Sequence, residues 1–491
     1  MDLIQFRELA QKYKVVPVFE VITADLLTPV LAYLKLRKHD NYCFLLESVE
    51  GIGRLARYSF VGRDPLKVIH SRGNKIHISS NGDKEVVNGN LFSYLKQEIK
   101  HFSHPPVEGL PDFTGGIVGY LGYENIALIE DVIQFKRLEA IDSADAIFGL
   151  YDTIVAFDHY KHQLILIKNV FTEGMGDPDK SYHEAIKTLK ILHRELSGPI
   201  QYRSDFRFEV ERKTLDDNHF GALVEAAKQN IRSGEIFQIV LSRRFGASYS
   251  GDLLNVYRAL RIINPSPYMY YMEFGGSFTV IGTSPEDLLK VRNRKATILP
   301  IAGTRRRGRD EREDAALAEE LLADPKERAE HVMLVDLARN DLGRICKYDT
   351  IHITEEMKIQ RYSHVMHIVS RVEGELDEDR DCIDALMAGF PAGTLTGAPK
   401  IRAIQLIDTY EQVTRNVYGG AVGYIDFSGN LDMCIAIRTL FALDNRVFWQ
   451  AGAGIVADSV PSMEVKEIEN KSAVMLSALK YAEVIDEDPG D

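Results

Sequence analysis

The chain has 491 residues, 45% of them hydrophobic, with 59 basic and 72 acidic side chains and a formal net charge of −13. That length can bury a large core and house two or three domains, while acidic charge spread along the whole chain argues against nucleic acid as a partner. Four cysteines (Cys43, Cys346, Cys382, Cys434) without CxxC spacing fit a reducing, cytoplasmic setting, and neither a signal peptide nor a membrane span is expected, because charges interrupt MDLIQFRELAQKYK and every later apolar run.

Apolar and polar residues alternate from about Tyr42 to Val170, with hairpin signals at Asn81-Gly82 in KIHISSNGDKEVV and around His159 in TIVAFDHYKHQLILI. Antiparallel sheet is predicted there. TEGMGDPDKS, Thr172 to Ser181, reads as a loop, YHEAIKTLKILHREL as a helix, and Gly198-Pro199 as the start of a connection. A boundary near 200 to 215 then separates an N-terminal β-rich lobe (1–205) from a second domain (215–485). In that second part, helical patterns at 216–233, 311–343, 382–389, 398–412 and 463–482 mix with strand patterns in GGAVGYIDF, MCIAIRTLFAL and RVFWQAGAGIV. Lacking a regular βαβ alternation, the chain is assigned to the α+β class and not to a doubly wound parallel sheet. No internal repeat or low-complexity segment occurs.

Two Glu-x-x-Glu segments, Glu327/Glu330 and Glu464/Glu467, lie on predicted helices. Asp324 and Pro325 cap the first, so its face runs Glu327, Glu330, Met333, Leu334, Leu337 and places Glu330 among core residues. An inward carboxylate is costly unless paired or bound to a metal, and an all-oxygen cluster suits magnesium. The competing assignment is a surface ion pair from Glu467 to Lys471, with Glu464 favouring a helix start near Pro461.

Glycines recur at strand ends in PIAGTRRRG (Pro300 to Gly308), PAGTLTGAPK (Pro391 to Lys400) and QAGAGIV (Gln450 to Val456). Such loops let backbone N–H groups approach a ligand, or serve turns alone. PAGTLTGAPK lacks the Gly-Lys-Ser/Thr ending of a phosphate loop, so a small carboxylated ligand fits better than a nucleotide. Arg438 alternates with apolar residues from Met433 to Leu440, where it either grips a carboxylate bidentately or forms a buried ion pair. His367, in the strand-like RYSHVMHIVSRVEG, is either a structural histidine or the best general acid/base candidate. The basic run Arg305, Arg306, Arg307, Arg309 is assigned to a solvated loop, or in part to an anionic ligand or partner.

As an ordered set, LLES (Leu45 to Ser48), NPSPYM (Asn264 to Met269), GEIFQIVLSRRF, PIAGT, PKERAEHVMLVDLARNDLGR, RYSHVMH, FPAGTLTGAPK, YGGAVGY, CIAIRT, GAG and the closing ExxE with Asn470-Lys471 resemble the chorismate-utilising enzymes, most closely the anthranilate synthase component I group. The resemblance covers nearly the whole chain. It implies the two-lobed fold of that family, with large mainly antiparallel sheets flanked by helices. It implies Mg2+ on Glu330 and Glu467, supported by Glu327 and Glu464. Chorismate is expected at Gly303, Thr304, Tyr418, Arg438 and the backbone of Gly452, Ala453 and Gly454, with His367, Gln238 and Thr394 as the catalytic positions.

Two positions separate relatives within the family. Aminodeoxychorismate synthases typically carry lysine where Ala302 stands, and isochorismate and salicylate synthases carry lysine where Gln238 stands. The resemblance thus implies ammonia as nucleophile and anthranilate and pyruvate as products, in the first committed step of tryptophan biosynthesis. No cysteine lies in a GxCxG elbow, so a separate glutamine amidotransferase subunit is the expected ammonia source. LLES and NPSPYM resemble the family's tryptophan feedback site, implying that Glu47, Ser48, Pro267, Tyr268 and Met269 bind the inhibitor; the alternative for NPSPYM is a proline turn before a strand. Aminodeoxychorismate synthase component I and a non-catalytic amino-acid sensor are the competing functions.

Overall fold

The structure, a computed structural model, describes residues 1–38, 42–48, 57–80, 82–136, 141–200, 202, 205–211, 216–276, 278–362, 365–411 and 413–486. Asn81 of the first hairpin, Ser363 and His364 of RYSHVMH, and much of 200–215 lie outside the described residues.

Among the described residues two twelve-stranded sheets form, and every strand pairing is antiparallel. Across the first sheet the order is Val15–Thr23, Gln163–Phe171, Thr153–Asp158, Tyr58–Arg63, Tyr42–Glu47, Tyr268–Phe274, Phe278–Ser284, Thr439–Leu443, Arg446–Ile455, Gln238–Ser250 and Arg207–Val210; Gly397–Ala398 pairs with the start of Gln238–Ser250. The second runs Ile301–Arg306, Val365–Glu375, Lys295–Ile298, Asp287–Arg292, Leu431–Ile435, Ala421–Asp426, Gly116–Leu121, Ala146–Tyr151, Lys67–Arg72, Lys75–Ser80 and Asp83–Asn88, with His352–Arg361 also on Val365–Glu375. Each sheet takes strands from both sides of residues 200–215. Both expected hairpins form, as Lys75–Ser80 with Asp83–Asn88 and Thr153–Asp158 with Gln163–Phe171.

Facing surfaces of the two sheets share one apolar layer, with Phe44, Tyr270, Val280 and Phe441 from the first against Val118, Tyr120, Ile147 and Val422 from the second. Helices cover the outer faces. Pro178–Ser197, Asp217–Arg232 and Pro461–Val484 pack on the first sheet, and Leu91–Lys100, Pro325–Gly343 and Cys382–Gly389 on the second. None of the helices among the described residues is long and apolar enough to cross a membrane.

Three elements differ from their sequence expectation, each for a local reason. The helix after Thr172 begins at Pro178, inside the expected loop, because the Asp177 carboxylate caps the Asp179 N–H and proline suits a first turn. The 311–343 pattern divides into Glu311–Ala323 and Pro325–Gly343, because Asp324 before proline is extended and caps Lys326 and Glu327. MCIAIRTLFAL is two strands in different sheets, Leu431–Ile435 in the second and Thr439–Leu443 in the first. Arg438 turns between them in the left-handed region at φ 48°, a conformation that costs a non-glycine residue energy.

A buried ion pair anchors the ends of these strands. Arg415, 1% exposed, binds Glu411 at 2.8 and 2.5 Å, the Leu395 carbonyl at 2.7 Å and the Val240 carbonyl at 2.8 Å, between the rings of Tyr123 and Tyr418. Glu411 also accepts from the Ser242 N–H and hydroxyl, each at 2.7 Å. Removing one partner strands the other charge in low dielectric, a loss of about 3–5 kcal/mol. Arg415→Ala is therefore expected to lower unfolding free energy by about that amount, measured by denaturant titration; a shift under ~1 kcal/mol would show that the pair is dispensable.

Candidate functional site

The chain crosses between the sheets twice at one place. Phe278–Ser284 lies in the first sheet and Asp287–Arg292 in the second, so Glu286 sits on one crossing; Arg438 sits on the other. The Ile435 N–H donates to the Glu286 carbonyl at 3.0 Å, the Ser284 hydroxyl to the Ile435 carbonyl at 2.6 Å and the Thr283 N–H to the Arg438 carbonyl at 3.1 Å. The crossings are thus bound side by side. Between them opens a cavity of about 170 Å³ that includes Glu286, Thr394, Tyr418, Arg438, Gly452, Gly454 and Lys471 in its lining.

One cavity wall is a strand edge. Arg446–Ile455 pairs with Gln238–Ser250 as far as Ile455, but its other ladder, to Thr439–Leu443, stops at Trp449. Beyond Trp449 that side meets the cavity, where Lys471 Nζ donates to the Gly452 carbonyl at 2.9 Å. Gly452 is fixed by close approach, since a Cβ there would lie 2.7 Å from the Tyr418 hydroxyl and 2.9 Å from the Leu241 carbonyl, whereas one on Gly454 would meet only Gln238 Nε2, at 2.9 Å. Strand alternation turns the Ala453 side chain into the hydrophobic core at 0% exposure, so only its backbone is available to a ligand, as the resemblance implies. Gln238 lines an adjoining cavity and reaches this one only at Gly454.

Glu286 was not singled out by the sequence patterns. Thr394 donates to its carboxylate at 3.0 Å. Burial pushes the carboxyl up to about 7, reinforced by Asp287 and opposed by Thr394, Lys471 and Arg438. Burial also presses the Arg438 guanidinium down, which the Glu286 charge partly offsets; its Nη1 donates to Asn264 Oδ1 at 3.3 Å. The only sequence signal for Glu286 was an acidic residue after Ser284-Pro285 between two apolar strand patterns.

Gly303, Thr304 and His367 form a neighbouring unit on paired strands. A bulge between Ala302 and Thr304 puts Gly303 at φ 64°, a left-handed position that suits glycine. His367 Nδ1 lies 2.9 Å from the Gly303 carbonyl and 3.1 Å from Thr304 Oγ1. A carbonyl only accepts, so Nδ1 carries the proton and Nε2 keeps its lone pair. Burial lowers the imidazole below its usual 6.5, the Gly303 bond opposes this and the Arg438 charge adds to it. Tyr362 links the unit to the cavity, with its ring 5.6 Å from that of His367 and its hydroxyl, raised by burial to about 12, within the field of Asp287 and Glu286.

The four glutamates sit on Pro325–Gly343 and Pro461–Val484. Glu330 differs from its expected place among core residues, because the buried face of its helix runs through His331, Leu334, Val335, Ala338 and Leu342, one position on, and leaves Glu330 open to solvent. Enough protein surrounds it, even so, for desolvation to push its carboxyl up, with repulsion from Glu327 and Glu467 adding. Glu464 is raised by desolvation and then by Glu467. Carboxylates from two helices thus repel one another with only oxygen donors at hand, a chemistry that fits a hard divalent cation. Lys471 now holds Glu467 at 2.7 Å and Arg305 holds Glu327 at 3.2 Å, and among the described residues no three acidic, histidine or cysteine groups are already gathered closely enough for a metal. Of the two sequence assignments for Glu467, the ion pair to Lys471 is the one that forms here. The other arginines of the basic run bind acids of Glu311–Ala323, Arg306 and Arg309 to Glu313 and Arg307 to Asp314.

LLES and NPSPYM become neighbours, since Tyr268–Phe274 pairs with Tyr42–Glu47 and Met269 faces Glu47. Glu47 is buried, accepts from the Tyr257 hydroxyl at 2.6 Å and Arg261 Nη2 at 3.2 Å, and forms an ion pair with Arg261. Ser48 and Pro267 are half-buried, and the Tyr268 hydroxyl donates to Asp432 at 2.8 Å.

Residues 42–477 match the family model of the chorismate binding enzymes. Anthranilate synthase component 1 of Acetivibrio thermocellus is 43% identical over 484 residues, covering 96% of this chain and 97% of that protein. That of Aquifex aeolicus is 40% identical over 497 residues, covering 98% of each. Among solved structures, anthranilate synthase component I from Streptococcus pneumoniae superposes with a TM-score of 0.77 at 36% identity, over 92% of this chain and 98% of that one. The menaquinone-specific isochorismate synthase of Escherichia coli shares the fold at 21% identity and a TM-score of 0.70, over 97% and 98% of the two chains.

The surroundings of His367 predict its titration. Its ring is expected to protonate below 6.5 in the free protein, followed by NMR of labelled histidines against a His367→Gln control. A midpoint at or above that value would mean that burial does not hold the ring neutral.

Proposed function

The chain belongs to the chorismate-binding enzymes, and from that premise we propose that it is the chorismate-converting component of an anthranilate synthase, forming anthranilate and pyruvate from chorismate and ammonia. The observation that carries the proposal is the cavity's division of charge: a half-buried arginine and an open strand edge on one side, a half-buried, desolvated carboxyl poised near neutrality on the other.

Chorismate is a dianion with a ring carboxylate, an enolpyruvyl carboxylate and a hydroxyl leaving group. Arg438, with donors along Gly452 to Gly454, suits one carboxylate. Glu286, neutral for much of the time at its raised value of about 7, supplies the proton to the departing C4 hydroxyl as ammonia adds at C2. His367 Nε2, kept neutral, takes the C2 proton when pyruvate leaves and the ring aromatises. Thr394 holds the Glu286 carboxyl in place. Glu330 and Glu467, with Glu327 and Glu464 in support, are the residues that would hold Mg2+, which when bound supplies Lewis-acid polarisation of a substrate carboxylate.

Gln238 and Ala302 provide no amine where the aminodeoxychorismate and isochorismate readings need a lysine, which supports ammonia as nucleophile. All four cysteines are buried, so ammonia release from glutamine belongs to a separate amidotransferase subunit. The adjacency of LLES and NPSPYM supports a tryptophan feedback site at Glu47, Ser48, Pro267, Tyr268 and Met269.

Fluorescence-detected anthranilate formation from chorismate, ammonium and magnesium tests the proposal. Activity is expected to need magnesium, to fall about 10²-fold or more in Glu330→Gln, and to drop on adding tryptophan in the wild type but not in Ser48→Phe. Accumulation of aminodeoxychorismate or isochorismate instead would refute it. Because Glu286 must be protonated to act, kcat at fixed free ammonia is expected to fall as pH rises through about 7. Glu286→Gln is expected to abolish that limb and to lower kcat by about 10²-fold; a limb that survives the substitution would assign it to another group.

A further inference from the structure

The cavity at Glu286 and Arg438 is one of three that adjoin in a row. Glu286 and Thr394 also line a second cavity of about 40 Å³, and Leu334, Leu337, Asp341 and Gly393 are shared between that one and a third of about 390 Å³. The third reaches exposed Asp336, Asn340 and Arg344. A water needs only about 10–15 Å³ and a few polar partners, so the middle cavity has room for roughly two or three.

Its polar lining is acidic. Glu286, Asp287 and Asp341 all border it. Asp287 is 6% exposed, and its Oδ2 has no hydrogen-bond partner among the described residues. A carboxylate oxygen buried without a protein partner calls for water. Asp341, 8% exposed, holds Lys400 at 3.3 Å through both oxygens at the border with the outer cavity.

We propose that Asp287 and Asp341, joined by water in the middle cavity, form a proton relay that connects Glu286 to bulk solvent through the outer cavity and not through the substrate cavity. The proposal rests on Glu286 being the acid of the reaction above. As the C4–O bond breaks, its electron pair stays on oxygen, which takes the Glu286 proton and leaves as water; the Glu286 carboxylate then recovers a proton along the chain, and Asp341 recovers one from hydronium or a buffer acid. Charged groups on several elements tune the relay, while Glu130 and Asp336 border its outer cavity. Burial raises Glu286 to about 7 against Lys471 and Arg438, and Asp287 to about 6, with Lys290 and Arg371 opposing and Asp432 reinforcing. Burial likewise raises Asp341 against Lys400 and Arg344. Glu286 and Asp287 are thus poised to exchange protons near neutrality, and Asp341 is shifted in the same direction.

The test measures kcat for anthranilate from chorismate and saturating ammonium in the wild type, Asp287→Asn, Asp341→Asn and Ala338→Val. The last variant fills the middle cavity without removing a charge. Each is expected to lower kcat about tenfold with the chorismate KM within about twofold, to carry a larger solvent isotope effect, and, for Asp341→Asn, to regain rate with added formate buffer. Unchanged kcat and pH profile in both Asp341→Asn and Ala338→Val would overturn the relay, as would a high-resolution crystal structure of the wild type with a dry middle cavity. Wild-type protein that turned chorismate over to a product other than anthranilate while the variants still lost rate would overturn the assignment of product and leave the relay standing.

Discussion

Two chain crossings between stacked sheets, tied to each other by backbone bonds, are the constraint on which the site depends. An antiparallel sandwich gives a strand no reason to change sheets, because the layer between the sheets is apolar and its backbone groups are already paired. At Ser284–Asp287 and at Ile435–Thr439 the chain changes sheets nonetheless. The cost appears in the left-handed backbone of Arg438 and in the burial of Glu286. Both costs fall on residues that face the cavity.

Electrostatics follows from that placement. Arg438 and Glu286 share a cavity in which neither is fully neutralised by the other, since each is also desolvated. Desolvation favours the neutral carboxyl and opposes the charged guanidinium, so both groups gain from a ligand that carries its own negative charge and accepts a proton. Lys471 extends this pattern outward: it donates to Gly452 on the cavity wall and to Glu467 of the glutamate pair on Pro461–Val484, coupling the two regions through one side chain.

Much of the architecture was legible because it rests on local chemistry. Alternation marked the hairpins, Asp324-Pro325 marked a helix start, and Gly-rich strand ends marked places of close backbone approach. Where expectation and structure diverge, a long-range contact decides. MCIAIRTLFAL has no glycine or proline to announce its break, and Glu330 and the buried face of its helix differ by a single residue. Glu286 escaped notice because nothing in the residues flanking it shows that its strand is about to change sheets.

By itself the sequence determined the α+β class, the helix caps and the family resemblance, and through it singled out Thr394, Tyr418, Arg438, Gly452 and Gly454 of the cavity lining, since these depend on periodicity, turn chemistry and ordered motifs. Tertiary structure alone decided that Glu286 and Arg438 meet, that the Gly452 edge is left open and that LLES lies beside NPSPYM. The physical reason is distance along the chain. Segments more than 100 residues apart are brought together only by sheet pairing and burial, and burial, not residue type, is what moves a glutamate toward neutrality and holds a histidine uncharged.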